Sequence, residues 1–521
     1  MNNFLKFVLK HKLICKIVLF LYALYCSVLI GISWDENYYK ILGKINLNYL
    51  LSFGILDEDY YAKFRYSTLY WSFSYFITQL LPSKFSVEFY HIINTIFGFF
   101  VCVGLYKITK NFFNRPVAYI AFLFLFFTPF FFGHFAINNK DTILAFSHVW
   151  IIYYLTKYCI KDFNLKKRLV IIFKLSLLSA LATGIQLLFI GSLIPVFFIF
   201  IISLVFLKRF NIKIFCIDFT LYLLLFYLIL ILFWVDTHGN ILLLPYKFFL
   251  QTLTLSNIGW PFNLINGKYV FSNNVGFNYL LVNYFYKLPE FIIFLYLILA
   301  PIILIKFSEI KKYFKYFTFK FISILLIILY PNIILIIIPF PIYDGLRLFL
   351  WVTPYLLIIP AILTYYIFIN KGLFFNTLKF LLCFLSVFHL VNFISLTPYH
   401  YTYLNAFSGP KNERYKKFEN DYWSVTLKEL ILKSNLNNNE IRFTSCGVNP
   451  EITKIYMKQK YKKSEHTRLN ESNYIIMTNR TLFSKKNNKI SNCFDEYSSD
   501  NVHQVTRNGI ILSAIKKINN E

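Results

Sequence analysis

The run Leu13–Ser33, LICKIVLFLYALYCSVLIGIS, leads without a break into Trp34-Asp35-Glu36-Asn37-Tyr38-Tyr39. At ~1.5 Å per residue a helix of that length crosses the ~30 Å hydrocarbon layer of a bilayer. A basic start (Lys6, Lys10, Lys12) precedes it. The run is too long for the apolar part of a signal peptide and lacks a small-residue cleavage site, so it reads as a retained span. Two adjacent carboxylates stand at its exit. Acids beside a bilayer are costly to keep, which marks Asp35 and Glu36 for function; the plainer reading is a pair of solvated loop acids.

The 521 residues are 57% hydrophobic and 21% aromatic, with a mean hydropathy of +0.55. The apolar residues gather in membrane-length runs, which excludes a soluble globule. Eleven spans are expected, near 13–33, 89–109, 116–133, 142–160, 169–187, 189–207, 215–235, 289–306, 321–339, 348–369 and 377–395. Between Gly184 and Gly191 the pattern fits either one long helix or two joined by a tight turn. The net charge of +28 would suggest nucleic acid in a soluble protein. Here Lys and Arg crowd the loops that should face the cytoplasm and anionic lipid, so no nucleic-acid partner is expected. Cys15, Cys26, Cys102, Cys159, Cys216 and Cys383 lie in or beside apolar runs and read as core fillers. Cys446 and Cys493 fall in the polar tail, where a disulfide is open to them if the tail is outside. No CxxC, HExxH or zinc-type spacing occurs.

With the N-terminus inside, the inner loops carry Lys107, Lys110 and Arg115, then Lys157 to Arg168, Lys208 to Lys213, Lys306 to Lys320, and Lys371 with Lys379. The short outer loops hold only Lys140 and Arg347, in keeping with the positive-inside rule. Everything after about Phe393 then lies outside. The first outer loop contains Asp57-Glu58-Asp59-Tyr60-Tyr61, Arg65-Tyr66 and an aromatic stretch, Leu69 to Leu81, that reads as an interfacial helix. The second runs from Gly133 to Asp141, the third from about Thr237 to Leu288, and the fourth from Pro339 to Arg347.

From residue 396 to 521 the composition turns soluble. Helices are expected at Ser424–Ser434 and Pro450–Tyr461, strands at Glu440–Thr444 and Asn473–Thr478, and a hairpin over Val502–Ile518 turning at Asn508-Gly509. The fold class is therefore an all-α polytopic membrane domain (residues 1–395, about eleven helices) followed by a small α/β outward-facing domain (396–521). No fixed-period repeat or pair of similar halves appears, which speaks against a transporter.

Asp35, Glu36, Asp141 and Asp344 gather on one membrane face with Lys140 and Arg347. Such a set suits a lipid-linked substrate whose tail stays in the bilayer. Arg holds its phosphate through paired hydrogen bonds, Lys adds a point charge, and a carboxylate takes the proton of an incoming hydroxyl or amine. Local ion pairing or helix capping is the alternative for Lys140-Asp141 and for Asp344 with Arg347. His134 reads as a hydrogen-bonded structural histidine. Tyr38, Tyr39, Tyr60, Tyr61 and Tyr66 suit an aromatic belt or sugar stacking. Asp421-Tyr422-Trp423, ahead of a helix, reads as structural. Asn470-Glu471-Ser472 and Asn479-Arg480-Thr481 match the glycosylation pattern, which matters in a eukaryotic host only.

Five segments carry a family resemblance. Trp34-Asp35-Glu36 resembles the acidic first-loop motif of the GT-C glycosyltransferases, in particular the dolichyl-phosphate-mannose–protein mannosyltransferase-like family 39 and its bacterial relatives. Asn138-Asn139-Lys140-Asp141 is similar to the Asn-Pro-Lys-Asp motif of a bacterial branch, with Asn139 in place of Pro. Tyr343-Asp344-Gly345-Leu346-Arg347 resembles its Tyr-Asp-Gly-x-Arg loop, with Leu348 where a His often follows. Pro398-Tyr399-His400-Tyr401-Thr402-Tyr403-Leu404-Asn405 and Asp421-Tyr422-Trp423 match two later segments.

The resemblance implies an inverting glycosyltransferase. It would move a sugar from a polyprenyl-phosphate-linked donor to a glycan, lipid or protein acceptor at the outer face of a bacterial inner membrane. Asp35 is then the base or acceptor-orienting carboxylate, supported by Glu36 and Asp141. Lys140 and Arg347 meet the donor phosphate, with Asn138, Tyr343 and Asp344 as further substrate-binding residues. Some relatives use a divalent cation, and a carboxylate pair beside a phosphate is able to hold one, so metal dependence stays open. A non-enzymatic transporter or scaffold for lipid-linked sugars is the alternative, and membrane lipids are expected partners in either case.

Overall fold

The structure is a computed structural model that describes residues 12–55, 66–160, 163–254, 259–337, 340–436, 440–484, 488–497 and 499–518. Lys6, Lys10, Asp57 to Tyr61, Arg65 and Pro339, singled out above, lie outside the described residues. Among those described, seven helices are long and apolar enough to cross a membrane: Ser83–Phe112, Asp141–Ile160, Leu165–Ile185, Phe189–Phe206, Ile212–Leu232, Phe317–Ile337 and Leu373–Ser395. An eighth element, Arg115–Phe126 with Pro129–Ile137, is bent by 68°, and Leu13–Leu29, Glu290–Leu299 and Thr353–Ile369 are shorter apolar helices. In order along the chain these are the eleven apolar runs read from the sequence, and the helix that opens at Glu290 continues to Lys312. Apolar side chains turned outward, such as Phe198, Val205 and Phe380, are 58–70% exposed, as suits a lipid-facing surface.

The departures from straight spans all serve one end of the bundle. The first helix stops at Leu29, four residues before Ser33, because Gly31 donates its N–H to the Val425 carbonyl (3.2 Å). A Cβ on Gly31 would stand 2.8 Å from that carbonyl oxygen, so only glycine permits the approach. The run expected at 116–133 breaks at Thr128-Pro129, where Thr128 is extended. Pro129 has no N–H with which to continue the helix. The chain therefore turns aside and carries Gly133–Asp141 back across the bundle end. The Gly184–Gly191 region resolves into two helices. Gly184 accepts from Ser67 N (3.0 Å), which ties the break to the first loop.

Leu69–Gln79 is helical, but it does not simply lie along the membrane. Tyr70 and Trp71 are fully buried against the neighbouring helices, while Phe73 and Phe76 remain turned outward. The third loop holds structure that the sequence reading passed over: helices Leu243–Thr254 and Tyr279–Lys287 and a hairpin of β1 (Phe262–Ile265) and β2 (Lys268–Phe271). Asn266 and Gly267 both take positive φ at its tip, the left-handed pair that a two-residue hairpin needs.

The polar tail forms a five-stranded mixed sheet in the order β4-β3-β5-β9-β8. Its strands are β3 (Ile441–Cys446), β4 (Ser464–His466), β5 (Tyr474–Thr478), β8 (Asn501–Arg507) and β9 (Ile510–Lys517). The Pro450–Lys460 helix makes the crossover from β3 to parallel β4, and Asn508-Gly509 turns the β8–β9 hairpin. A second hairpin, β6 (Thr481–Ser484) with β7 (Lys489–Asn492), is pinned beside the sheet by the Cys446–Cys493 disulfide (Cα–Cα 5.8 Å). This domain packs directly on the bundle end. Trp34 donates to the Trp423 carbonyl (3.2 Å), and Asn449 to the Trp34 carbonyl (3.1 Å).

Gly133 tests that packing. Its φ is ordinary, but a Cβ there would lie 2.1 Å from the Tyr401 backbone nitrogen. Gly133→Ala is expected to destabilise by ~1–3 kcal/mol, the usual cost of overpacking. Gly191→Ala, with nothing within 4 Å of the added carbon, should leave thermal unfolding unchanged. Equal unfolding of the two variants in detergent would contradict the close approach.

Candidate active site

The fourth loop is built around Tyr343-Asp344-Gly345. Asp344 and Gly345 both take positive φ (58° and 63°), a rare and costly conformation for the aspartate. Gly345 is required twice over: for its φ, and because a Cβ would stand 2.1 Å from Lys287 Nζ. The β1–β2 hairpin holds this loop. Asn263 Nδ2 donates to the Ile342 carbonyl (2.7 Å) and Ile342 N to the Ser272 carbonyl (3.0 Å).

The tight turn aims the Asp344 carboxylate between two arginines. Its Oδ2 meets Arg347 Nη1 at 2.9 Å and its Oδ1 meets Arg480 Nη1 at 2.6 Å. Arg347 also lies 3.4 Å, through Nε, from Asp141 Oδ2. Arg480 approaches Glu419 Oε1 at 3.9 Å. Asp141, Asp344, Arg347 and Arg480 are each 2–6% exposed. Aromatic faces fill the space around the guanidinium groups. Arg347 stacks at 5.0 Å on both Tyr343 and Trp423, and Arg480 at 4.3 Å on Trp260 and 6.0 Å on Trp34 and Tyr422. Despite this enclosure, Arg347 Nε, Arg480 Nε and Asp141 Oδ1 have no hydrogen-bond partner among the described residues.

The second loop is folded by Asn138. Its Oδ1 accepts from the backbone N–H of Lys140 (3.1 Å) and Asp141 (2.7 Å), and its Nδ2 donates to Asp141 Oδ2 (3.1 Å). Asn139, where the resemblance expects Pro, is structural: its carbonyl accepts from Trp71 Nε1 (3.2 Å) and its amide donates to Tyr90 Oη (3.1 Å). Lys140 reaches over the Tyr66 ring at 5.2 Å. Burial works against its charge, but Tyr66 and Asp141 outweigh that and hold its pKa above the ordinary lysine value. His134 is hydrogen-bonded to Tyr422 Oη (2.8 Å).

Asp35 and Glu36 separate. Glu36 is buried, with Oε2 accepting from Ser33 N (3.1 Å) and facing His91 Nε2 at 2.8 Å, so it fastens the first loop to the Ser83–Phe112 helix. Asp35 occupies the position preceding the Glu36–Leu51 helix without capping it. Among the described residues no hydrogen bond or ion pair engages its carboxylate. It is half-buried, and burial raises its pKa against the opposing pull of Arg347, then Lys140 and Arg480, with Asp344 adding to the rise. The structure thus brings Asp35, Lys140, Asp141, Tyr343, Asp344 and Arg347 into one electrostatic group, with Asn138 folding its loop. Glu36 points away.

Four members of the group carried no sequence signal. Arg480 lies between β5 and β6, and Glu419 accepts from Thr481 N and Oγ1 (both 2.8 Å). Trp260 donates to Thr481 Oγ1 (3.1 Å). Lys287 is 5% exposed, and burial, only partly offset by Glu419 and Asp344, lowers its pKa to about 8. Arg480 even sits inside a glycosylation pattern, but Asn479 is buried and donates to the Tyr415 and Phe418 carbonyls (2.8 and 2.7 Å), so the sequon is closed. Asp421 is structural, accepting from Val425 N, Thr426 N and the hydroxyls of Thr426 and Tyr401.

By sequence, no protein-family model and no curated protein matches the chain. By structure it aligns with ArnT from Cupriavidus metallidurans in the apo state over 98% of both chains, at a TM-score of 0.52 and 9% identity. The chain has the GT-C fold. The same enzyme bound to undecaprenyl phosphate aligns at a TM-score of 0.48 and 10% identity, over 96% of this chain and 97% of that one. The oligosaccharyltransferase AglB from Archaeoglobus fulgidus, in complex with an inhibitory peptide and a dolichol-phosphate, aligns at 0.48 and 12% identity, over 90% of this chain and 70% of its own. At 9% identity the first of these alignments establishes the fold alone.

The Asp344–Arg480 contact joins the membrane loop to the C-terminal domain. Arg480→Met should destabilise by less than the ~3–5 kcal/mol of a lone broken buried pair, because Asp344 keeps Arg347. Combined with Asp344→Asn, a double-mutant cycle on unfolding should give a coupling of ~0.5–3 kcal/mol. Strict additivity would mean that the contact does not join the two parts.

Proposed function

We propose that this protein transfers a sugar from a polyprenyl-phosphate-linked donor to a hydroxyl or amine acceptor at the membrane face that carries Asp35. The observation that carries the reading is the contrast within the cluster. Asp141 and Asp344 are committed to arginines, whereas half-buried Asp35 has no hydrogen-bond or ion-pair partner among the described residues while feeling the pull of Arg347, Lys140 and Arg480. A carboxylate raised toward neutrality and free of partners is suited to accept a proton. Two buried arginines, whose Nε atoms make no hydrogen bond and only approach Asp141 and Glu419 at 3.4 and 3.9 Å, are suited to an anion that arrives with the substrate.

In the proposed reaction the acceptor oxygen or nitrogen attacks the anomeric carbon of the sugar from the side opposite the phosphate. The bond from that carbon to the phosphate oxygen breaks, its electron pair stays on the phosphate, and the configuration inverts. Asp35 takes the acceptor proton. Lys140 and Arg347, with Arg480, balance the charge that develops on the leaving phosphate. Asp141 and Asp344 orient the guanidinium groups, Asn138 shapes the loop bearing Lys140, and Tyr343 supports Arg347 from below. Glu36 holds the first loop in place through His91. No three His, Cys, Asp or Glu side chains meet among the described residues in a way that would hold a metal ion, and the site carboxylates other than Asp35 are held by arginines or backbone donors. We therefore assign charge neutralisation to the cations of the chain and route no step through a divalent ion. The face is read as the outer one of a bacterial inner membrane, since Lys and Arg crowd the loops at the opposite end. A disulfide in the domain on the site's side is consistent with an oxidising compartment.

The test is transfer of labelled sugar from polyprenyl-phosphate donors in membranes, native protein against Asp35→Asn. Turnover should fall by ~10²-fold or more, the usual contribution of a positioned base. The variant should unfold no lower than the native protein, because a carboxylate whose pKa is raised on folding destabilises the folded state once ionised. In the native enzyme kcat/KM should fall as the pH drops through a pKa above the ordinary carboxylate range. Unchanged product from Asp35→Asn would remove the base and return the scaffold reading.

A further inference from the structure

A cavity of about 490 Å³ opens at the other end of the bundle. That volume falls in the range of ligand sites. One helix measures its separation from the cluster. Asp141 begins Asp141–Ile160 in the candidate site, while Cys159, near the other end, lines the cavity. Eighteen residues of helix are about 27 Å, close to a membrane thickness. The cavity belongs to the opposite membrane face and has no part in the transfer site.

Its two ends differ in chemistry. Arg209, Lys315 and Lys320 stand at the mouth, and Ile324 and Ile327 line the deeper part, one to two helical turns beyond Lys320. Phe206 and Phe319, stacked at 5.3 Å, lie between. No acidic residue is among those lining it. Arg209 Nη1 donates to the Cys159 carbonyl (3.1 Å) and Lys320 Nζ to the Phe112 carbonyl (2.5 Å). Those carbonyls end two of the wall helices, so the bonds satisfy helix termini and also fix both cations at the rim. Lys315 lies 4.9 Å over the exposed Tyr316 ring. The side walls, Phe189–Phe206 and Phe317–Ile337, are among the least enclosed spans, 33% and 28% buried, so the cavity lies beside lipid.

A basic rim over an apolar bore, set at the headgroup level of a membrane face, matches an anionic amphiphile in both charge and length. We propose that this cavity holds an anionic phospholipid, its phosphate on Arg209, Lys315 and Lys320 and an acyl chain between the Phe189–Phe206 and Phe317–Ile337 helices. The lipid is a structural wedge between two helices that meet at the Phe206–Phe319 stack and again at the Tyr330 hydroxyl, which donates to the Gly191 carbonyl (2.7 Å).

The test uses the full chain in detergent with phosphatidylglycerol or phosphatidylcholine added at equal fractions, followed by thermal unfolding and by native mass spectrometry of retained lipid. Phosphatidylglycerol should raise the unfolding temperature and stay bound, whereas phosphatidylcholine should do neither. Arg209→Gln and Lys315→Gln should each weaken retention about fivefold, as expected for a basic residue near an anionic headgroup. Ser203→Phe, which fills the bore and leaves the rim intact, should abolish retention. Equal stabilisation by phosphatidylcholine would overturn the proposal, as would undiminished retention in the rim variants. Displacement of phosphatidylglycerol by polyprenyl phosphate would overturn it in favour of a second carrier site. None of these readouts depends on transfer activity.

Discussion

The structure turns on one carboxylate. Asp344 is shared between Arg347, from its own loop, and Arg480, from the domain that follows the last membrane helix. A buried carboxylate facing two guanidinium groups is best satisfied as a closed set, and losing one arginine still leaves it paired with the other. That closure fixes how the C-terminal domain sits on the membrane helices. It also explains the glycine that follows. Only a left-handed Asp-Gly pair turns the carboxylate inward while leaving room for Lys287 behind it. Packing and charge therefore set the same loop geometry.

Much of this was legible in the sequence, for physical reasons that differ by element. The membrane runs were, because twenty apolar residues have few alternatives to a span. Their interruptions were less so: the bend at Thr128-Pro129 rests on one proline inside an apolar run, and the early stop at Leu29 on a contact with Val425, nearly 400 residues away. Asp35, Lys140, Asp141, Asp344 and Arg347 stood out because a charge at a membrane edge is rare against an apolar background. Arg480, Glu419 and Lys287 had no such contrast. The first two lie in polar sequence where charges are common, and Lys287 ends an aromatic loop helix. The β1–β2 hairpin had its Asn266-Gly267 signal in plain view, between FNLI and KYVF.

Asp35 and Glu36 show how little adjacency says about role. As neighbours they carry the same charge and the same distance from the membrane. The helix that starts at Glu36 sends the two side chains in different directions. Glu36 finds Ser33 and His91 and becomes an internal fastening. Asp35 finds no partner and is left facing cations, where burial and attraction pull its proton affinity in opposite directions. Neither hydropathy nor spacing distinguishes them. The distinction comes from a histidine one helix away.

The cluster is balanced in formal charge, with Asp35, Asp141, Asp344 and Glu419 against Lys140, Lys287, Arg347 and Arg480. Its balance is uneven at the level of atoms. The arginines are satisfied through Nη and left open at Nε, and Asp141 is satisfied through Oδ2 and left open at Oδ1. A buried polar atom without a partner costs ~1–3 kcal/mol. A site that must take in an anion and release it needs that condition, since donors fully satisfied within the protein would have to break bonds before each turnover. Because Arg480 belongs to the C-terminal domain, that domain completes the charge cluster.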